Sequence, residues 1–379
     1  MARITTDSLN TSHTFNRRVV FILLVILSLS IPAILGQVVS PRKDFHNNLW
    51  GPASLFLQGK NPYDTSSLKA ELAPLWNPVT LGLFAPLGWL DELVATQIWF
   101  LFNVAALAVI IYLLAGKNDP PLIVLWAGVL AFLFPPSINH FALGQISILS
   151  ALSLLLAALF IERKQLWSSA FFLVVGSAKP HLWILPAIGL ISLVWRRGGL
   201  RETIRYGMYV LLIALGLCLP LFVTGSAWFA SFLSNIKENP AWVQPSLFSW
   251  LHETLGIWAF LAWALVFLAG AVACVWIWRA HKPPVAMAWS LGLTTLLSPY
   301  IWSWDFVLLL PAWIFVFLRV EWRIRLLLFV IYLGSWAGMA AIQLKANAVN
   351  ALYWWLPIVF LSSAALAKKM IRENFPVQE

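Results

Sequence analysis

Residues 93–116 read LVATQIWFLFNVAALAVIIYLLAG, 24 positions with no charged side chain. As a helix this run spans about 36 Å, enough to cross the roughly 30 Å of hydrocarbon in a bilayer. Its apolar residues are continuous and do not alternate, which argues against a transmembrane β-barrel strand. The pattern recurs along the chain. Apolar runs fall at 19–39, 93–116, 121–138, 146–161, 166–178, 181–195, 206–223, 255–278, 285–299, 306–318, 326–343 and 350–367. Composition agrees: 61% of the 379 residues are hydrophobic and 11% charged, where soluble domains hold about 45–50% and about 25%. Mean hydropathy is +0.82. A soluble single domain, a disordered chain and a disulfide scaffold are excluded. The sequence predicts an all-α polytopic membrane protein, one domain over residues 1–379, with about 12 transmembrane helices.

The net charge of +10 has an explanation other than nucleic acid. With the N-terminus inside, 18 of the 25 basic residues fall on inner segments. The remaining seven, Arg42, Lys43, Lys60, Lys69, Lys179, Lys237 and Lys345, fall outside. That asymmetry follows the positive-inside rule. Both termini are therefore expected in the cytoplasm of a cell-membrane protein, and no nucleic-acid partner is expected. The first run follows Arg17-Arg18 as a signal peptide would. It is long and lacks a small-x-small cleavage site, so it reads as a retained span. Cys218 and Cys274 lie in apolar runs and read as small core residues. The 23 Trp read either as interfacial anchors or as sugar-stacking rings, and the count does not separate the two. Gly334 and Gly338 form a GxxxG pair, read as helix packing. No P-loop or GxGxxG is present.

Two outer segments are long, about 40–92 and about 224–254. Both are amphipathic and are expected to lie on the membrane surface. Two pairs of runs are short, 166–178/181–195 and 285–299/306–318. Polar pinches join them, Lys179-Pro180-His181 in one pair and Trp302-Ser303-Trp304-Asp305 in the other. Thirteen residues of helix cover only about 20 Å. Either these helices continue through polar residues, or the pinches line a polar cavity sunk from the outer face, where polar backbone is tolerated.

Few polar residues are placed for chemistry. Asp44 follows the first run by five residues. It reads as an ion-pair partner of Arg42 or Lys43, or as a general base for a hydroxyl. Lys179 is costly at depth, about 2.5–3.5 kcal/mol. It reads as a phosphate partner or as a snorkelling lysine, and His181 beside it offers a second donor. Asp305 has three readings: a partner for Lys179, a ligand of sugar hydroxyls, or a helix N-cap. Gln145 opens the 146–161 run, where it would satisfy orphan amides. His140 and His252 fall on the outer side without metal-ligand spacing, so no zinc is expected.

Taken together these segments resemble the membrane glycosyltransferases of family 87, in the GT-C superfamily, which includes polyprenyl-phosphate-mannose-dependent α-mannosyltransferases. Asp44 follows the first helix. Gly59-Lys60-Asn61-Pro62-Tyr63-Asp64 is similar to the family's G-x-N-x-Y-D segment. Gly144-Gln145-Ile146-Ser147, Lys179-Pro180 and Ser298-Pro299-Tyr300-Ile301-Trp302 resemble its GQ-N, K-P and SP-x-x-W segments. Trp76-Asn77-Pro78 departs from the usual Tyr-Pro-Pro, and Ser303-Trp304-Asp305 stands where many members carry His. The resemblance implies a GT-C-like bundle and an inverting transfer of a hexose, in particular mannose. The donor would be a polyprenyl-phosphate sugar, the acceptor a lipid or glycan, and the face extracytoplasmic. It implies Asp44 as general base on the side opposite the leaving phosphate, and Lys179 and His181 as holders of that phosphate. His46, Asn61, Tyr63, Gln145, Trp302 and Asp305 become substrate-binding candidates. No cofactor is implied, and the chain has no Asp-x-Asp pair. Two other classes remain in view: a multi-pass transporter or lipid flippase, although the halves show no repeat, and a lipid-linked-glycan polymerase or ligase.

Overall fold

The computed structural model describes residues 43–374, except 65, 67–72, 117–118, 239–243 and 347–349, together with Ile22, Val25, Ile26 and Ser30. Apart from those four residues, the retained first span at 19–39 lies outside the described residues, as does the Arg42 partner of Asp44. Every regular element among those described is a helix. Lys43–Phe45, His46–Trp50 and Gly51–Leu57 run on as one helix, α1, with a π turn in its middle. Then come α2 (Pro78–Phe84), α3 (Glu92–Leu114), α4 (Pro121–Leu133), α5 (Pro135–Leu143), α6 (Ser147–Glu162), α7 (Leu166–Gly176) and α8 (Pro180–Cys218). The chain continues through α9 (Ala227–Glu238), α10 (Leu247–Leu255), α11 (Ala259–Ala280) and α12 (Pro283–Leu297). A 3-10 turn, Ser303–Leu309, leads into α13 (Leu310–Arg319), and α14 (Trp322–Ala346) and α15 (Leu356–Asn374) follow.

Among the described residues, five helical stretches are long and apolar enough to cross a membrane: Glu92–Leu114, Pro180–Thr224, Leu247–Ala280, Trp322–Lys345 and Ala351–Lys369. The pair α4–α5, bent by 58°, makes a sixth candidate. The bend has a local cause. Pro135 and Pro136 open α5, and the residue before a proline is driven out of the helical region. Phe134 accordingly sits at φ −62°, ψ 125°. Of the four short runs, 166–178 and 285–299 became the short helices α7 and α12, and 306–318 became the end of the 3-10 turn with α13. The runs at 181–195 and 206–223 join into α8, broken only at Gly199, whose φ of +64° suits a residue without a Cβ.

The core lies where α6 packs on α7, α12 and α3, and α12 on α8 and α11. At one crossing the Trp278 indole donates to Ser290 Oγ at 2.8 Å. A Cβ on Gly189 would stand 2.0 Å from that indole nitrogen, so the glycine admits the ring. On the outside of α11, Leu261, Leu265, Leu268, Val272 and Trp276 are all at least half exposed. Their three- and four-residue spacing makes one apolar stripe, which a bilayer covers.

Arginines tie the helix ends. Arg196 donates to the Trp278 carbonyl at 2.7 Å, and Arg197 to the Ile161 carbonyl at 2.8 Å. Arg319 reaches the Leu114 carbonyl at 3.0 Å, and Arg325 the Val320 carbonyl at 2.7 Å. Each accepting carbonyl lies in or just past the last turn of a helix, where intrahelical donors have run out.

Two sequence expectations need correction. The segment 40–92 does not simply rest on the surface: Phe45, Leu49 and Ala53 of α1 and Leu81 of α2 are buried. The polar residues of α1 suggested an interface, but its apolar face is taken up by protein. His140 is not on an outer surface either. It is fully buried and bonded to Asn103 Oδ1 at 3.0 Å. The GxxxG pair contributes through Gly338, where a Cβ would meet the Trp355 ring at 3.3 Å, whereas Gly334 faces open space.

Candidate active site

The polar pinches meet. Lys179 Nζ stands 2.6 Å from Asp305 Oδ1, with both side chains nearly or fully buried. The pair stands at a cavity of about 430 Å³ that Lys179 lines. Ala73, Leu75 and Trp76, ahead of α2, and four other stretches complete its wall.

The first is α1, which supplies Asp44 and, one turn on, Asn48. The π turn at His46–Trp50 begins just past Asp44. Asn48 stitches the region together: its Nδ2 donates to the Asp44 carbonyl at 3.2 Å, and its Oδ1 accepts from Leu75 N at 2.8 Å. The second is the turn between α5 and α6. Gly144 closes α5 at φ +69°, a left-handed cap that favours glycine. Gln145 follows, and its Nε2 donates to Asp44 Oδ2. Ser147 opens α6, and its hydroxyl donates to Asp305 Oδ1.

The third stretch is Tyr300 to Trp304. The Trp302 and Trp304 rings stack at 5.0 Å with planes 10° apart. Tyr300 stands edge-on to Trp302 and to His181, the latter at 5.0 Å. The fourth is α9, which lends Phe232 and Ile236. Three polar atoms of the wall are buried without a hydrogen-bond partner: Gln145 Oε1, His181 Nε2 and Trp304 Nε1. Buried polar groups are rarely left so; eight further side-chain atoms among the described residues share that state away from the wall.

Burial pushes the Asp44 carboxyl above its ordinary value, while Lys179 and the Gln145 hydrogen bond hold it back. A carboxylate so placed can accept a proton, and the Lys179 ammonium can hold an anion.

The remaining candidates sit elsewhere. Asp305 does not line the cavity. It stands behind Lys179 and accepts from Trp302 N at 3.2 Å, so it serves at once as ion-pair partner and as closure of the 3-10 turn. His46 pairs with Glu92 at 2.8 Å and lies against Trp50, away from the wall. Asn61 donates to Ser231 Oγ at 2.9 Å. Tyr63 is buried, gives its hydroxyl to the Trp76 carbonyl at 3.2 Å and packs on Phe232 at 5.1 Å. Asn235 of α9 donates to the Tyr63 carbonyl at 3.1 Å. Asn61 and Tyr63 therefore fasten α9 over the cavity rather than lining it.

Among the wall residues that sequence reading missed are Asn48, Tyr300, Trp304, Phe232 and Ile236. Asn48 was findable, because it lies four residues from Asp44 and shares its helix face. Nothing in the sequence links α9 to this cavity.

Among the described residues no group of three His, Cys, Asp or Glu side chains is arranged to hold a metal ion. The fold and cavity thus define a helical membrane protein with a carboxylate and an ammonium on one cavity wall. Residues 75–299 match the model of glycosyltransferase family 87, and the chain belongs to that family. It is a glycosyltransferase. Gln145, Lys179 and His181 lie within the matched residues, whereas Asp44, Trp302 and Asp305 lie outside them. No curated protein matches the chain.

Proposed function

We propose that this glycosyltransferase moves a hexose, in particular mannose, from a polyprenyl-phosphate donor to a lipid or glycan acceptor at the extracytoplasmic face, with inversion. One observation carries the reading: Asp44 and Lys179 line the same cavity and are joined through a single turn, Asp44 by Gln145 and the Lys179–Asp305 pair by Ser147. In the proposed step the acceptor hydroxyl attacks the anomeric carbon as Asp44 takes its proton. The bond from that carbon to the phosphate oxygen breaks, and the polyprenyl phosphate leaves with the electron pair. Lys179 stabilises the charge gathering on that oxygen, and His181 adds its unpartnered Nε2. The phosphate is a good leaving group and needs no protonated acid. The stacked Trp302 and Trp304 give the sugar an aromatic wall. The side of the membrane rests on the bias of basic residues toward the other face.

The test uses purified full-length protein in nanodiscs, labelled polyprenyl-phosphate mannose and a lipid extract of the source cells, with Asp44→Asn as control. Label entering a larger product with wild type alone supports the reading. Absence of both transfer and donor binding refutes this donor.

A further inference from the structure

We infer that Trp99, which lies outside the cavity wall, is a positioning residue that sets the Asp44–Gln145 pair from behind. Its indole Nε1 donates to the Gly144 carbonyl at 2.8 Å, entirely buried. That carbonyl belongs to the left-handed residue immediately before Gln145. The same ring stacks on Phe45, the residue after Asp44, at 5.4 Å with planes 24° apart. One side chain thus touches the chain neighbour of each partner in the Asp44–Gln145 hydrogen bond.

The surroundings repeat the theme. Trp99 sits in a small apolar cluster with Phe45, Trp76, Ile146 and Ala178. Ile146 stands between Gln145 and Ser147, and Ala178 precedes Lys179. Every polar segment of the cavity that bears Asp44, Gln145, Ser147 or Lys179 therefore sends an apolar neighbour to this cluster. Trp99 is its central ring, with Phe84 edge-on at 5.2 Å and Trp76 at 6.0 Å. Its own helix adds a brace: Asn103 Nδ2 donates to the Trp99 carbonyl at 3.0 Å, and Asn103 Oδ1 meets His140 at 3.0 Å. A turn has no ladder of its own to fix its register. A buried donor on its carbonyl supplies that constraint, and a small displacement of a positioned group is enough to slow a reaction.

The test removes the N–H while keeping the shape. Trp99 is replaced site-specifically by 3-benzothienylalanine, an isostere with sulfur in place of the N–H, and separately by Phe in Trp99→Phe. The probe is a membrane-permeant carbodiimide, which modifies protonated buried carboxyls. Its adduct on the Asp44 peptide is quantified by mass spectrometry across pH, with Asp44→Asn as blank. The charged and polar groups facing Asp44 are Gln145 from the turn, Lys179 from the start of α8, Asp305 behind it and Lys43 on its own helix. Of these, only Gln145 follows a carbonyl that Trp99 hydrogen-bonds.

Both Trp99 variants should raise the labelling midpoint by about one unit, as Gln145→Leu should, because a hydrogen bond to the charged form is lost. Combining either with Gln145→Leu should add nothing. An unchanged midpoint in the isosteric variant, with Gln145→Leu shifted, overturns the proposal. An unchanged midpoint in all three also overturns it. This readout needs no sugar donor. If wild type transfers no mannose yet the midpoints move, the donor assignment fails and the role of Trp99 stands. Where transfer is measurable, kcat should drop about tenfold in the isosteric variant with KM nearly unchanged.

Discussion

Gln145 and Ser147 stand two residues apart on the turn into α6, and each holds a different carboxylate. Gln145 donates to Asp44, and Ser147 to Asp305. One short turn therefore sets both the proposed proton acceptor and the counter-charge of Lys179. The two carboxylates come from elements more than 250 residues apart in sequence, α1 and the 3-10 turn before α13.

Asp44→Asn should lower the transfer rate by about 10²–10⁴-fold, the usual contribution of a general base. Donor binding and thermal stability should be nearly unchanged, since Asn can still accept the Gln145 hydrogen bond. Rates and donor affinities of the nanodisc protein check this, and near-wild-type turnover would remove Asp44 from the reaction.

The acid limb of the rate follows from the same carboxyl. Burial raises its pKa, and the base works only when ionised. Activity should therefore fall as pH drops through a midpoint above the ordinary carboxylate value of about 3.9. Gln145→Leu removes a donor to the ionised form and should move the limb further upward. A kcat/KM profile against pH decides it, and a limb at or below the ordinary value would contradict the burial.

Breaking the Lys179–Asp305 pair should separate stability from binding. Lys179→Met or Asp305→Leu alone leaves a buried charge without its partner and should cost about 3–5 kcal/mol. The double variant should recover most of that loss, because apolar residues can replace a buried pair. Donor affinity should stay weak in every variant lacking the ammonium. Thermal unfolding in detergent measures the first part. A double variant that binds donor as wild type does would refute the phosphate role.

Asn235→Ala should loosen α9 over the cavity, because its two carbonyl partners, Tyr63 and Pro74, lose their donor. The expected effect is a several-fold rise in KM for the donor with a smaller change in kcat. Equal losses in both would instead mean that α9 acts on the chemical step.

Much of the fold was legible because lipid imposes a simple rule. Uncharged runs such as 93–116 must be helices when the backbone has no water to bond. The same rule located the two polar pinches, since Lys179 and Asp305 are hard to place in apolar runs without a purpose. What the sequence hid was partnership. Asp305 suits a cap, a sugar contact and an ion pair equally well by residue type, and only the fold brings it to Lys179. Asn61 and Tyr63 looked like substrate contacts from their family pattern. They fasten α9 instead, a role that depends on Ser231 and Asn235, some 170 residues further along. Helix lengths misled where prolines intervene. The run at 121–138 continues to Leu143 but turns by 58° at Phe134.

The four arginines at the helix ends carry a last implication. A charge count treats Arg196, Arg197, Arg319 and Arg325 as signals for insertion, and lysine would serve that purpose equally. A guanidinium also offers several fixed donors, which a single ammonium cannot match in geometry. Replacing all four by lysine would preserve the sign read during membrane insertion and take away the clasps on the ends of α3, α6, α11 and α13. How the chain threads the bilayer and how firmly its helices stay bundled afterwards are thus two separable properties written in the same residues.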